Sequence, residues 1–372
     1  NDSYQLITET DPLGHHTHRT WDRYDRIQSI TDPLGNTTDY AYDEHGNLTS
    51  LTHADGTTTT ARYDERDPAA GLPVELTGPD GATWRHEYDD RGNRLSTTDP
   101  LGGRTEYAHD EWGHVVAVTD ALGNTRRLEN APSGLPISVT DPLGHVTIAE
   151  RDAFGRIVRA ANPSGHVTRM GWTIEGRPKW HERPDGVRET WDWDGEGNLL
   201  RHRDLAGNIT VNTYTCFDRL ATRTDANGAT YTFSYDTELH TTAVTDDQGR
   251  PWTYRYDKAG RLASETDFNG RTLTYGYDAR GLLASRVNGA GQRLEFTRDA
   301  MGRTLEQHGA DGEAVSFTYD RSGALVRAAN ADVVLVLERD LLGRPLIETV
   351  NGRSTSYAYD LLGRRVRRTT AG

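Results

Sequence analysis

The stretch Tyr256-Asp257-Lys258-Ala259-Gly260-Arg261-Leu262-Ala263-Ser264-Glu265-Thr266-Asp267-Phe268-Asn269-Gly270-Arg271-Thr272-Leu273-Thr274-Tyr275-Gly276-Tyr277-Asp278 decides the fold. It holds two turn signals of one chemistry, Asp257-x-x-Gly260 and Asp267-x-x-Gly270, and then starts over at Tyr277-Asp278. Asp suits the first position of a type I turn because its carboxylate accepts a backbone N–H two residues on. Gly at the fourth position can take the left-handed conformation of a hairpin bulge. Before the Tyr-Asp turn, Tyr277, Tyr275 and Leu273 alternate with Gly276 and Thr274. That is the period of 2 of a two-faced strand.

Outward from this stretch the same phrase runs the length of the chain. Clear copies are Tyr42-Asp43-x-x-Gly46, Tyr88-Asp89-x-x-Gly92, Tyr256-Asp257-x-x-Gly260, Tyr277-Asp278-x-x-Gly281 and Tyr319-Asp320-x-x-Gly323. The companion turn is clearest at Asp32-Pro33-Leu34-Gly35 and Asp141-Pro142-Leu143-Gly144, where Pro presets φ. From 110 to 320 the Asp slot recurs every 21 residues. Ala131, Thr173 and Thr215 have replaced the Asp, yet the register holds, so they are expected to sit in equivalent turns. The last two steps, to Asp340 and Asp360, are 20 residues, and the step from Asp64 to Asp89 is 25. The extra residues there predict an extended turn near 65–73. A fixed period of this length marks a repeat architecture.

Residues 1–372 therefore read as one continuous array of about seventeen repeats, all-β, with two strands per repeat in a long antiparallel meander. Six or seven residues between turns suffice for a strand of roughly 20 Å. No stretch carries a helical period, and Gly arrives too often for helices. Laid flat, such a sheet would run roughly 160 Å. Sheets twist, so the ribbon is expected to coil into a spiral or hollow shell, burying one aromatic face or stacking its successive turns.

Composition fits a wall better than a pocket. Apolar residues are 34% and mean hydropathy is −0.77, with 38 Gly, but the apolar residues fall in register. A net charge of −14 argues against a nucleic-acid partner. The one basic cluster, Arg364, Arg365, Arg367 and Arg368, reads as a solvated strand. No apolar run is long enough for membrane insertion by a helix. The chain opens and closes inside a repeat, so it is expected to be a section of a larger protein, with any targeting signal outside it.

Five features of the sequence carry candidate chemistry. The pairs Asp89-Asp90 and Asp246-Asp247 sit in turns whose neighbours point apart, away from the convergence that acid–base work needs. His16 and His18 share a strand face beside His15, but no third ligand accompanies them. Cys216 has no His partner and reads as a buried or semi-buried bystander. Asp55-Gly56, Asp80-Gly81, Asp185-Gly186 and Asp311-Gly312 read as hairpin turns and lack the calcium-repeat phrase. Trp172, Trp180, Trp191 and Trp193 cluster in two neighbouring repeats; aromatic platforms stack on sugars, so they are the candidate glycan contacts, against the simpler reading that three of them fill Tyr slots. No catalytic residue, cofactor or metal is expected.

The Tyr-Asp-x-x-Gly and Thr-Asp-Pro-Leu-Gly phrases resemble the YD repeat of the Rhs family, found also in insecticidal toxin-complex subunits, bacterial wall-associated toxins and the animal teneurins. The resemblance spans essentially the whole chain. It implies a spiralling sheet closed into a shell. In bacterial polymorphic-toxin members that shell encloses a C-terminal toxin segment and shields the producing cell until delivery in interbacterial competition. The implied partners are the toxin polypeptide of the same parent protein and a secretion or delivery apparatus. The parent would be secreted or cell-surface. The self-cutting segment that follows the repeats in such proteins is not seen in this sequence. The alternative function is a cell-surface adhesion or carbohydrate-binding module.

Replacing Thr215 by Asp returns a carboxylate acceptor to its turn, so Thr215→Asp is expected to be neutral or mildly stabilising. Urea unfolding checks this, and a loss above about 1 kcal/mol would contradict the turn assignment.

Overall fold

The computed structural model describes residues 4–67 and 70–370. It contains thirty-five antiparallel strands, from β1 (Thr8–Thr10) to β35 (Arg365–Thr370), and no α-helix among the described residues. Every pairing joins strands consecutive in the chain, and β1 and β35 do not pair with each other. The result is one unclosed sheet, as the alternation predicted.

The period of 21 has a direct structural origin. β25 (Leu262–Thr266) contributes five residues and β26 (Thr272–Tyr277) six. A five-residue turn follows each. Across the Tyr-Asp turn the register slips once: Tyr256 pairs with Leu262 but Arg255 with Ser264, leaving Ala263 bulged. The same bulge recurs at the other Tyr-Asp hairpins, as at Tyr42 opposite Leu48 and Tyr319 opposite Leu325. Bulges increase local twist, so a regular row of them coils the ribbon regularly.

A single carboxylate holds the regular turn. The Asp257 N–H donates to Arg261 O (2.8 Å), and Gly260 N–H donates to Asp257 O (3.0 Å). Asp257 Oδ1 accepts the N–H groups of Ala259 (2.9 Å) and Arg261 (3.0 Å), and its Oδ2 accepts Arg261 Nε (2.8 Å). Gly260 sits at φ +74°, the left-handed region that penalises a Cβ. Asp25, Asp218 and Leu239 fill this slot elsewhere at φ of 62°, 57° and 66°.

The degenerate slots keep the turn with fewer bonds. Gly134 N–H still donates to Ala131 O (2.8 Å), with no side-chain acceptor. Thr173 Oγ1 accepts Arg177 N–H at 3.2 Å. Thr215 Oγ1 accepts Phe217 and Arg219 N–H at 3.3 and 3.2 Å, both longer than the Asp257 bonds. The Asp-Gly pairs are turns of a second kind. They begin two residues upstream, at His53, Gly78, Arg183 and Gly309. Asp55, Asp80 and Asp185 then serve from the third position, accepting the N–H of Thr57, Ala82 and Val187.

The 20-residue steps come from shortened turns on the edge opposite the Tyr-Asp turns. At 330–333 a four-residue turn is closed by the Asn330 N–H to Val333 O bond (2.9 Å). At Asn351-Gly352 a two-residue turn has both residues at positive φ, 48° and 81°, the geometry that matches strand twist. The long step is the turn between Tyr63 and Pro73, closed by Asp64 N–H to Leu72 O (2.9 Å); Pro68 and Ala69 lie outside the described residues.

There is no second layer to enclose a core. Ala82 and Tyr88 are the buried apolar residues, and Ser96 and Asp246 the buried polar ones, among those described. The Tyr face is half-buried along the ribbon, while the interleaved positions are largely exposed. The ribbon coils until its two edges meet. Arg303 Nη2 lies 3.0 Å from Asp55 Oδ2, 248 residues away in sequence. Arg280 Nε lies 3.8 Å from Asp32 Oδ2 at the same offset. One spiral turn thus takes about twelve repeats, and the seam joins the Tyr-Asp edge of later repeats to the Thr-Asp-Pro edge of earlier ones.

The turn carboxylates tie stability to acid. Asp11 is pulled down to about 2, chiefly by the His15 backbone N–H. Asp152 is lowered chiefly by the Arg156 guanidinium, and Asp89 and Asp120 by the amides of Asn93 and Asn124. At Asp257 burial pushes upward, and the Arg261 N–H and guanidinium overcome it. A depressed carboxylate contributes stability that is complete above its unfolded value and lost as pH falls through the folded one. The melting temperature is therefore expected to stay level from about pH 7 to pH 5 and to fall steadily below about pH 4, measured by circular dichroism.

Candidate functional site

The residue just before each Tyr-Asp turn ties its repeat to the preceding one. Tyr277 Oη donates to the Leu262 carbonyl (2.8 Å), fifteen residues back. Tyr42 bonds Ile27 O (3.0 Å), Tyr88 bonds Pro73 O (3.0 Å), Tyr256 bonds Thr241 O (2.8 Å) and Tyr319 bonds Thr304 O (2.8 Å) in the same way. Where Tyr is missing, another donor reaches the same place. Trp172 and Trp193 use indole N–H to Ile157 O (2.8 Å) and Pro178 O (2.7 Å). Asn130 reaches Val115 O (2.9 Å), and Arg298 reaches Leu283 O (2.9 Å). Every residue in this slot carries an N–H or O–H donor and none is Phe; within the strands Phe stands two residues earlier, at Phe233, Phe296 and Phe317. That pattern was visible in the sequence and points to the bond; reading the Tyr slot as simple apolar burial missed it. At His109 the slot falls short, with a buried Nδ1 that has no hydrogen-bond partner.

An arginine completes the tie. Arg261, bound to Asp257 in its own turn, lies 4.6 Å from the ring centroid of Tyr277 and donates to Asp278 O (3.5 Å) in the next repeat. Arg26 repeats this with Asp22, the Tyr42 ring (4.5 Å) and Asp43 O (3.3 Å). Arg344 does so with Asp340, Tyr359 and Asp360 O.

The four clustered tryptophans do not form one platform. Strand register pairs Trp180 with Gly171 and Thr190, while Trp191 pairs with His202. Trp180 therefore faces one side, over Gly171, and Trp172, Trp191 and Trp193 face the other. An added Cβ at Gly171 would lie 2.0 Å from the Trp180 indole nitrogen, so the ring needs this glycine. Trp191 stacks on His202 at 5.4 Å.

The other candidates are engaged or apart. His16 and His18 share a face, each bonded to a threonine, Thr10 and Thr8, and His15 holds Asp11. Among the described residues no three of His, Cys, Asp and Glu come together as metal ligands. Asp89 turns into its own hairpin to hold Asn93, while Asp90 points out toward Arg66 (3.4 Å). Asp246 is buried against Arg250, and Asp247 is exposed. Cys216 corrects the expectation: it is exposed, because it occupies the second position of the Thr215 turn, where side chains point to solvent. Glu265 accepts Trp252 Nε1 (3.1 Å) and Tyr275 Oη (2.5 Å). Burial and then this carboxylate push Tyr275 up to about 12. Both Glu265 oxygens are thereby occupied.

What this arrangement can do chemically is hold a continuous polar wall. A spiral of tandem hairpins with two distinct turn edges defines a YD-type repeat protein. The chain belongs to the RHS Repeat family, whose family model matches residues 5–37, 21–58, 42–67, 66–104, 88–125, 235–272 and 277–314. Among solved structures, the crystal structure of TcdB2-TccC3-Cdc42 shares the fold at a TM-score of 0.65 and 15% identity, covering 95% of this chain and 23% of that one. TcdB2-TccC3-TEV is similar at 0.54 and 16% identity, over 96% of this chain and 22% of that one. A Photorhabdus luminescens Tc holotoxin pore structure is similar at 0.50 and 15% identity, over 96% and 26%. The chain thus spans about a quarter of the length of the solved chains that it resembles. No curated protein sequence matches it.

Tyr277→Phe keeps the ring and removes the donor, so it is expected to cost about 1 kcal/mol in urea unfolding. Tyr277→Trp is expected to cost less, as Trp172 and Trp193 make the same bond.

Proposed function

We propose that this chain is a non-catalytic section of an Rhs-type shell that encloses a C-terminal toxin segment of its parent protein until delivery. The observation that carries the reading is the spiral itself: one unclosed sheet whose edges meet after 248 residues. About 24 strands per turn at about 4.8 Å give a contour of about 115 Å and a diameter of about 37 Å. Side chains lining such a bore narrow it below the width of a compact 100-residue domain, whose radius of gyration is about 13 Å. An extended or loosely folded polypeptide fits; a folded domain of that size does not.

Family membership and the likeness to toxin-complex structures support the same reading. A wall built from a chain with 34% apolar residues offers an unfolded cargo little to adhere to. The charge of −14 gives weak attraction for a basic cargo, screened beyond about 8 Å at physiological salt. The implied partners are that toxin polypeptide and a delivery apparatus, and the parent protein would act outside the cell.

A carbohydrate-binding surface module is the second reading, favoured by Trp172, Trp191 and Trp193 on a common face. It predicts glycan-array binding that is lost in Trp191→Ala. The shell reading is tested in the parent protein by deleting these repeats beside the toxin segment. Deletion is expected to make that segment protease-sensitive and toxic to its producer. Unchanged protease sensitivity and unchanged toxicity would remove the enclosing role.

A further inference from the structure

The family model matches residues 88–125 and resumes at 235–272. The tryptophans lie in the interval. Trp172 and Trp191 stand on the Tyr face of β16 (Val167–Trp172) and β18 (Arg188–Trp193), one on each side of β17 (Pro178–Glu182). A cavity of about 240 Å³ opens between them, lined also by Met170, Pro178 and His181, and its surface is almost wholly apolar.

Both walls are held from behind. Trp172 donates its indole N–H to Ile157 O (2.8 Å), and the Arg156 guanidinium lies 5.9 Å from its ring. Trp191 pairs with His202 on the strand beyond and stacks on it at 5.4 Å with 14° between the rings, which leaves its other side to the cavity. His202 Nε2 in turn lies 2.7 Å from Glu189 Oε1. β16 and β18 are two strand spacings apart, about 9.6 Å. A ring placed midway would sit about 5 Å from each indole, within the range of about 4.5–7 Å at which aromatic rings stack. A sugar ring would leave its hydroxyls against apolar walls without hydrogen-bond partners.

The strand between the walls adds a charge. Trp172 pairs with Pro178 but Gly171 with Trp180, so a bulge sets Pro178 and Lys179 together opposite Trp172. The pairing of Trp180 with Thr190 brings Lys179 beside Trp191 as well. Lys179 is exposed, and among the described residues its ammonium has no ion-pair or hydrogen-bond partner. Glu189, on the same face, is engaged by His202 and faced by His181 Nδ1 at 3.8 Å.

We propose that the slot between Trp172 and Trp191 binds a planar aromatic ring that carries an anionic group, the ring held between the indoles and the anion by Lys179. The ligand is a free aromatic acid, or an aromatic side chain beside a carboxylate in a polypeptide. The site stands apart from the shell reading and would be present whether or not the wall encloses a toxin.

The test is a ligand-observed NMR titration of the 372-residue chain with N-acetyltryptophan, its uncharged amide, methyl β-glucoside and the peptide acetyl-Glu-Trp-Glu-amide. N-acetyltryptophan is expected to bind with a dissociation constant of about 1 mM or below, and the uncharged amide about 2- to 5-fold more weakly. Trp191→Ala is expected to weaken binding about 10-fold or more. Lys179→Glu is expected to abolish the preference for the anion and to leave the amide unchanged. Met170→Phe fills the slot without removing either indole; the equivalent position holds Phe233, Phe296 and Phe317 in other repeats. That variant is expected to keep its circular dichroism spectrum and lose binding. Peptide binding as tight as that of N-acetyltryptophan supports the polypeptide source, and binding of N-acetyltryptophan alone supports the free acid. No binding at about 10 mM overturns the proposal, as does binding that survives both Trp191→Ala and Met170→Phe. Binding of methyl β-glucoside in place of the aromatic probes overturns the aromatic assignment and gives the tryptophans to the glycan reading.

Discussion

A single sheet with no second layer has to be held together by what each strand gives to the next. Two devices supply that here. Turn carboxylates hold the backbone of the regular hairpin tips, as Asp257 does for Ala259 and Arg261. Slot donors such as Tyr277 reach back to the preceding repeat, with Arg261 over the ring. Both are short-range, so cohesion is a chain of nearest-neighbour terms, as expected of a repeat array. The structure can dispense with a core because few polar groups at its turns are left for water to compete over.

The fold was legible because its signals are local and recur. Asp-x-x-Gly marked the turns, alternation marked the strands, and register carried Ala131, Thr173 and Thr215 into turns despite their lost Asp. The 20-residue steps were legible as numbers but not as geometry. Asn351-Gly352 is a recognisable two-residue hairpin only once its neighbours are known to pair. Cys216 was misjudged because its exposure depends on its position within a turn rather than on its residue type. The tryptophan cluster looked like one platform in sequence; a bulge and strand pairing put Trp180 on the far side. The seam could not be read at all, since an offset of 248 residues depends on accumulated twist.

The same economy suits a wall. Side chains that catalyse must converge, and here turns and strands spread them along two edges and two faces. Turn carboxylates such as Asp257 are spent on backbone N–H groups, His16 pairs with Thr10 and His15 with Asp11.

The seam behaves like a screw thread whose teeth are interchangeable. Arg280 meets Asp32 and Arg303 meets Asp55 at one offset, although the turns involved differ in kind, one opening on Asp32 and the other on His53. Because turns of two kinds mesh at one offset, a gene that gains or loses a whole 21-residue unit by unequal recombination only advances the thread by a notch. Length can then drift over generations without a new pairing code, while a gain or loss of a single residue inside a strand would flip its faces and jam the thread.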